Sequence, residues 1–407
     1  MAGSSVTELS MADFDTTTSA GEAHHSLPPS GFSAPGRSRP RRWPVVIIIL
    51  VLLVGAAWFI LIRWSVNYYA ITPGDAQPVA PFITVPAQFD HPLHGSILLT
   101  DVFVTQLNVL TYLQERYLSS DAEVIPTAEL VGPSTPADQF VAQGYLQMTQ
   151  AQSFAAAAAL THLGYTVRPQ AVGALVYGIS TGAPAAGVLK VAQVITAVNA
   201  TATPTICALD NALYGLAPGS TATLKVEQST ISPSGVFEAG PVVAKTVRLG
   251  TPPKGLRDSG CGEPTRAPTA FLGIMPQTQY AWSFPVKVQV RTADIGGPSA
   301  GLSMTLAIID KLSGGHLTGG HTVAATGTID PQGDVGDVGG VAEKTIAVER
   351  AGATVFFVPP QELAAARSKD TPQLHVYAVS TLDQALKILK RLGGTMTDSH
   401  LPAQAAP

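Results

Sequence analysis

Gly296-Gly297-Pro298-Ser299-Ala300-Gly301 runs directly into Leu302, Leu306, Ile309 and Leu312, ahead of Gly314-Gly315. Apolar residues spaced by three and four mark one face of a buried helix, and the paired glycines end it. Ser299 therefore stands at a helix N-terminus in a turn of small residues. Backbone N–H groups around Gly297 and Ser299 can face a developing negative charge there, and a substrate can approach closely. Gly296 and Gly297 are accordingly the candidates for oxyanion or substrate-backbone contact.

A serine hydroxyl is a poor nucleophile until a neighbouring base takes its proton as it attacks. A second stretch, Gly339-Gly340-Val341-Ala342-Glu343-Lys344, supplies a lysine. It opens a helix expected over 341–351 and bounded by Gly352, so Lys344 lies in the first turn, where the helix dipole disfavours an ammonium ion. To act as a base the amine must be neutral. Lowering its ordinary pKa of about 10.4 toward 7 takes roughly 4 to 5 kcal/mol of burial and charge interaction.

Taken singly, these features have plainer readings: a glycine-rich turn is usually only a turn, and a helix lysine is usually solvated. Gly297-x-Ser299-x-Gly301 also satisfies the nucleophile-elbow pattern, which would recruit a later acid and histidine such as Asp330 and His375. Little chain remains after Ser299 for that large sheet, and no HGGG-like segment accompanies it.

Three motifs in order, GGPSAGL (296–302), Ala325-Thr326-Gly327-Thr328-Ile329 and GGVAEK (339–344), resemble the proteolytic domain of Lon proteases. The resemblance implies Ser299 as nucleophile, Lys344 as general base and Thr326 as the hydroxyl that orients the lysine. It also implies a homo-oligomer, a hexameric ring. Gly296-Gly297 stands where Lon proteases have Asp-Gly, and the stretch 330–338 is slightly longer than theirs; both departures reshape the rim of the site. The sequence holds no G-x-x-x-x-G-K-[ST], so hydrolysis is expected to proceed without ATP.

At the other end, residues 43–62 form an uncharged run of 20 residues. At about 1.5 Å per residue it crosses a hydrocarbon core of about 30 Å. Arg37, Arg39, Arg41 and Arg42 precede it, only Arg63 follows, and Trp43, Trp58 and Trp64 suit the two interfaces. The expectation is a single-pass anchor in the cell membrane with a cytoplasmic N-terminus and an extracytoplasmic remainder; a cleaved signal peptide is the alternative. Residues 1–42, rich in Ser, Thr, Ala, Gly and Pro, are expected to be a disordered tail, and 396–407 a flexible end.

Between 164 and 228 lies a second resemblance. Gly182-Ala183-Pro184-Ala185-Ala186-Gly187-Val188-Leu189-Lys190-Val191 followed by Val194-Ile195-Thr196-Ala197-Val198-Asn199 is similar to the core of bacterial PDZ domains, with Ala192-Gln193 in place of the usual Gly-Asp. On that resemblance Leu163-Gly164-Tyr165 would form the carboxylate loop, and an extended peptide would add a strand beside a helix near 208–216. A spacer without a ligand is the other reading. Residues 229–283 would connect to a proteolytic domain over 284–395, entered through the alternation Val286, Val288, Val290. Residues 63–163 read as a β-rich and helical juxtamembrane segment. One arrangement that accounts for this order inserts the PDZ into the protease, with residues 68–130 supplying its first strands.

The fold class expected is thus α+β: one N-terminal transmembrane helix, a PDZ domain and a Lon-type proteolytic domain. This resembles membrane-anchored, PDZ-containing Lon-like serine proteases of Gram-positive bacteria. Polypeptides are the expected substrates. A 13% charged content and a net charge of −4 provide no basic patch for nucleic acid. No cofactor is implied, and no metal motif emerges from the nine histidines. Cys207 and Cys261, the only cysteines, form a disulfide or remain separate buried thiols. The competing functional class is a PDZ scaffold with a silent protease fold, and autoprocessing alone is a third.

Overall fold

The structure is a computed structural model that describes residues 42–131, 137–232, 236–253, 261, 269–292 and 294–396. The expected tail over 1–42 lies outside the described residues except for Arg42, and so does the expected flexible end beyond Met396. The chain divides into two compact units, 1–56 and 57–407. The helix Trp43–Arg63 straddles the boundary. Its 21 residues are exposed almost throughout, and among the described residues it is the one helix long and apolar enough to cross a membrane.

In the second unit, one six-stranded sheet takes strands from both ends of the sequence. Its order is His375–Ala378, Val355–Val358, Thr322–Ala325, Ser96–Asn108, Ser65–Pro78 and Glu123–Pro126. The first four run parallel to their neighbours, and the last two join antiparallel. Parallel strands are covered on both faces, which is why Val355-Phe356-Phe357-Val358 is apolar without interruption and fully buried. Alternate residues serve the two faces. Val323, Ala325, Val355 and Phe357 pack under the helices Ala137–His162, Gly301–Leu312 and Leu382–Arg391. Ala324, Phe356 and Val358 pack against Val341–Arg350 and Leu363–Arg367 on the other side. Ser299, just before one of these helices, and Lys344, on a helix of the opposite face, are both linked to Thr326, which directly follows the Thr322–Ala325 strand. Crevices beyond the carboxyl ends of parallel strands are where such sheets place their chemistry.

The second sheet is antiparallel, in the order Val242–Arg248, Thr221–Glu227, Val194–Val198, Arg168–Ile179 and Ile274–Ser283. Ala222, Leu224 and Val226 alternate into its core, which the helix Ile206–Leu213 covers. This corrects the expected boundary at Gln228: two strands from the supposed connecting segment complete the same sheet. At 192–193 the usual Gly-Asp is absent. Ala192 takes the left-handed backbone itself (φ 74°), and Gln193 Oε1 accepts from Lys190 N–H and Lys245 Nζ. Of the alternation Val286, Val288, Val290, only Gln289–Val290 pairs as a strand, with Ile83–Thr84, although Val286 and Val288 are buried.

Cys207, on the helix Ile206–Leu213, is bonded to Cys261 across 54 residues. Closing a loop of that size restricts the unfolded chain, so replacing both cysteines with serine is expected to cost about 2 to 4 kcal/mol. Urea unfolding of the double variant beside the parent measures this; an unchanged midpoint would mean that packing alone restrains the segment.

Candidate active site

The turn before the helix Gly301–Leu312 is stitched to the segment after the strand Thr322–Ala325. Ser299 C=O accepts from Gly327 N–H at 2.9 Å and from the Thr326 hydroxyl at 3.3 Å, and Leu302 N–H donates to Gly327 C=O at 3.1 Å. Thr326 is wholly buried, and its N–H is tied to Phe357 C=O at 3.0 Å. The backbone bonds among these fix Thr326 beneath the serine turn.

Lys344 reaches the same point from the other face. It lies in the first turn of Val341–Arg350, its side chain is 3% exposed, and its Nζ donates to Thr326 Oγ1 at 3.4 Å. Loss of hydration disfavours its ammonium form and brings its pKa from 10.5 to about 8, against the attraction of Asp101, Glu362 and Glu343, which pulls it up. Burial likewise pushes the carboxyls of Asp101, Glu343 and Glu362 above the usual range. Asp101 Oδ1 accepts the Asp75 N–H at 2.8 Å, while Glu343 Oε2 is buried with no hydrogen-bond partner among the described residues. A lysine with a pKa of about 8 is substantially neutral near that pH, the requirement for a base working on a hydroxyl.

The structure therefore joins Thr326 to both Ser299 and Lys344 through hydrogen bonds. It does not leave every candidate free. Gly297 N–H, offered above as an oxyanion donor, is spent on Gly144 C=O at 2.8 Å, and Gly296 is exposed beside it. The N–H groups of Ser299 and Ala300 make no hydrogen bond among the described residues. Asp330, the acid of the nucleophile-elbow alternative, closes its own turn by accepting from Gln332 and Asp334 N–H.

Leu163-Gly164-Tyr165 is also corrected. Gly164 N–H donates to Thr161 C=O and Tyr165 N–H to Leu160 C=O, ending the helix Ala137–His162. Leu163 and Tyr165 pack into the main core, not the core of the second sheet. With its donors used as a helix cap, this tripeptide cannot receive a carboxylate. The strand that follows it is paired along its whole length with Ile274–Ser283. The second sheet ends in two edge strands, Val242–Arg248 and Ile274–Ser283, and the latter neighbours the helix Ile206–Leu213 through the bond from Ile206 N–H to the Thr278 hydroxyl.

Asp101, Glu362 and Gly144 had no sequence signal, because each is brought in from a distant element. Glu343 adjoins Lys344, but only burial distinguishes it from an ordinary helix glutamate.

Residues 276–391 match the family model of the Lon protease (S16) C-terminal proteolytic domain. The Lon protease of Chloroflexus aggregans is 31% identical over 126 residues, which are 30% of this chain and 15% of that protein. Lon protease 1 of Bacillus subtilis is 33% identical over 94 residues (23% and 12%), and the Lon protease of Mycoplasma genitalium is 48% identical over 63 (16% and 8%). The chain thus spans about 15% of the length of the first of these relatives, and less of the other two. Among solved structures, the PDZ domain of an SdrC-like protein from Listeria monocytogenes aligns at a TM-score of 0.19 and 16% identity, over 26% of this chain and 87% of that one.

Proposed function

We propose that this chain is a membrane-anchored serine endopeptidase that cleaves unstructured polypeptides without ATP. The observation that carries the reading is Lys344, buried, poised near pH 8 and bonded to the same threonine that holds the Ser299 turn. The similarity of residues 276–391 to a Lon proteolytic domain supports the same chemistry.

Ser299 Oγ attacks the scissile carbonyl carbon while Lys344 Nζ takes its proton, and Thr326 Oγ1 holds the amine in line. The tetrahedral oxyanion is received by the N–H groups of Ser299 and Ala300 at the start of the helix Gly301–Leu312. Lys344 returns the proton to the departing amine, leaving an acyl-enzyme. It then takes a proton from water, whose attack releases the acid and regenerates Ser299.

The helix Trp43–Arg63 serves as the anchor, and the excess of arginines before it supports a cytoplasmic N-terminus with the catalytic region on the other side of the membrane. The second sheet receives an extended stretch of polypeptide along the free edge of Ile274–Ser283.

The test is digestion of an unfolded protein by the full chain in detergent micelles, beside Ser299→Ala and Lys344→Ala at equal concentration. Cleavage is expected from the parent and from neither variant. Equal cleavage by all three would place the activity elsewhere, and none by any would favour a scaffold.

A further inference from the structure

The helix Ala137–His162 serves two cores. On one face Met148, Ala151, Ala155 and Ala158 are buried against the catalytic core. On another, Gln139, Gln143 and Gln147, one turn apart, grip the second sheet. Gln139 Nε2 donates to Ile179 C=O at 3.0 Å while its Oε1 accepts Ile179 N–H at 2.8 Å. Gln143 Nε2 donates to Tyr177 C=O at 3.2 Å, and Gln147 Nε2 donates to the Tyr177 hydroxyl. Next to Gln143, Gly144 C=O accepts the Gly297 N–H.

That bond matters because, beside the packing of Ile295 against the main core, it ties the loop upstream of Ser299 to a neighbouring element. Among the described residues it is the one hydrogen bond that residues 294–297 make to another element. Two successive glycines, the second at φ 87°, leave this backbone many conformations unless an outside contact selects one.

We infer that the second sheet positions the nucleophile: Gln139 and Gln143 lock the Ala137–His162 helix to it, and the carbonyl of Gly144 on that helix fixes the loop that carries Ser299. All three are positioning residues acting through Gly297, and the inference rests on Ser299 being the nucleophile. A helix held on two faces can neither slide nor turn, so loosening one grip moves the Gly144 carbonyl and the loop with it. Misplacement by about 1 Å costs on the order of 100-fold in rate.

The experiment measures kcat and KM on a short fluorogenic peptide, with the full chain in micelles, and the thermal midpoint of each variant. Gln139→Ala/Gln143→Ala should lower kcat by at least ~10-fold with KM within about threefold of the parent. Because that pair also leaves backbone groups of the second sheet unbonded, a graded series at Gly144 provides an independent arm. A Cβ there would lie 3.7 Å from Gly297 N and 3.8 Å from Gly296 Cα, so alanine fits and valine crowds the loop. Gly144→Ala should lose less than ~10-fold in kcat and Gly144→Val about 100-fold, both at a midpoint no lower than the parent's, since glycine is the poorer helix former. Unaltered kcat in Gly144→Val and in the glutamine pair, or losses that only follow a fallen midpoint, would overturn the inference while leaving the active-site reading intact. An inactive parent, or full activity in Ser299→Ala, would overturn both.

Discussion

Lys344→Met is expected to abolish peptide hydrolysis while making the protein more stable at neutral pH. The parent carries Lys344 with a pKa of about 8, against 10.5 for the free side chain, because burial strips hydration from the ammonium ion. The unfolded chain therefore binds this proton more tightly than the folded one. Stability falls as pH drops from about 10.5 to about 8 and then levels off, a loss of about 3 kcal/mol at most. Methionine keeps the length and removes the charge. Its advantage should be on the order of 1 to 3 kcal/mol at pH 7, since Asp101, Glu343 and Glu362 lose a cation in exchange, and should be roughly halved at pH 9.5. Urea unfolding at the two pH values checks this; a variant less stable than the parent at pH 7 would mean that the lysine is held by its acids and not merely tolerated.

The same pKa sets the rate profile of the parent. The base must be neutral, so kcat/KM should rise about tenfold per pH unit below 8 and flatten above it. A profile with no such rise would remove Lys344 from the role of base. Lys344→Arg should be inactive at every pH, because guanidinium stays protonated.

Gly301→Ala is expected to reduce activity by on the order of 100-fold or more and to destabilise the fold by about 1 to 3 kcal/mol. In an exposed helix this change would stabilise by about 1 kcal/mol. Here a Cβ would lie 2.8 Å from the backbone nitrogen of Ile329 and 2.9 Å from its Cγ2, so the chain after Thr326 must move. That movement pulls apart the bonds from Leu302 N–H to Gly327 C=O and from Gly327 N–H to Ser299 C=O. Thr326 then no longer sits under both Ser299 and Lys344. Paired measurements of kcat and the unfolding midpoint decide it; a more stable and active variant would show that the helix tolerates a side chain there.

Much of the candidate site's framework was legible because its parts lie in local motifs. The helix after Ser299 runs over Gly301–Leu312 and the one bearing Lys344 over Val341–Arg350, close to the spans that the apolar spacing and flanking glycines mark. The long uncharged run forms the helix Trp43–Arg63, and Ala222, Leu224 and Val226 alternate inward. Such features are written in periodicity, which a single element satisfies by itself.

The loop expected to hold a peptide carboxylate was misplaced for the opposite reason. Leu163-Gly164-Tyr165 looks locally like a loop before a strand, but whether that strand has a free edge depends on Ile274–Ser283, about a hundred residues on, pairing alongside it. Equally, the acids beside Lys344 come from separate elements, with Asp101 on the strand Ser96–Asn108 and Glu362 just after Val355–Val358.

The sequence by itself determined which residues are candidates for the chemistry and where the helices beside them run, since spacing and small residues act over a few positions. Only the tertiary structure decided which N–H groups are already committed, which sheet edge is open and how far burial lowers the lysine's pKa. Each of those depends on what distant chain has come to occupy the space around a group, and hydration and hydrogen bonding are lost or kept only there.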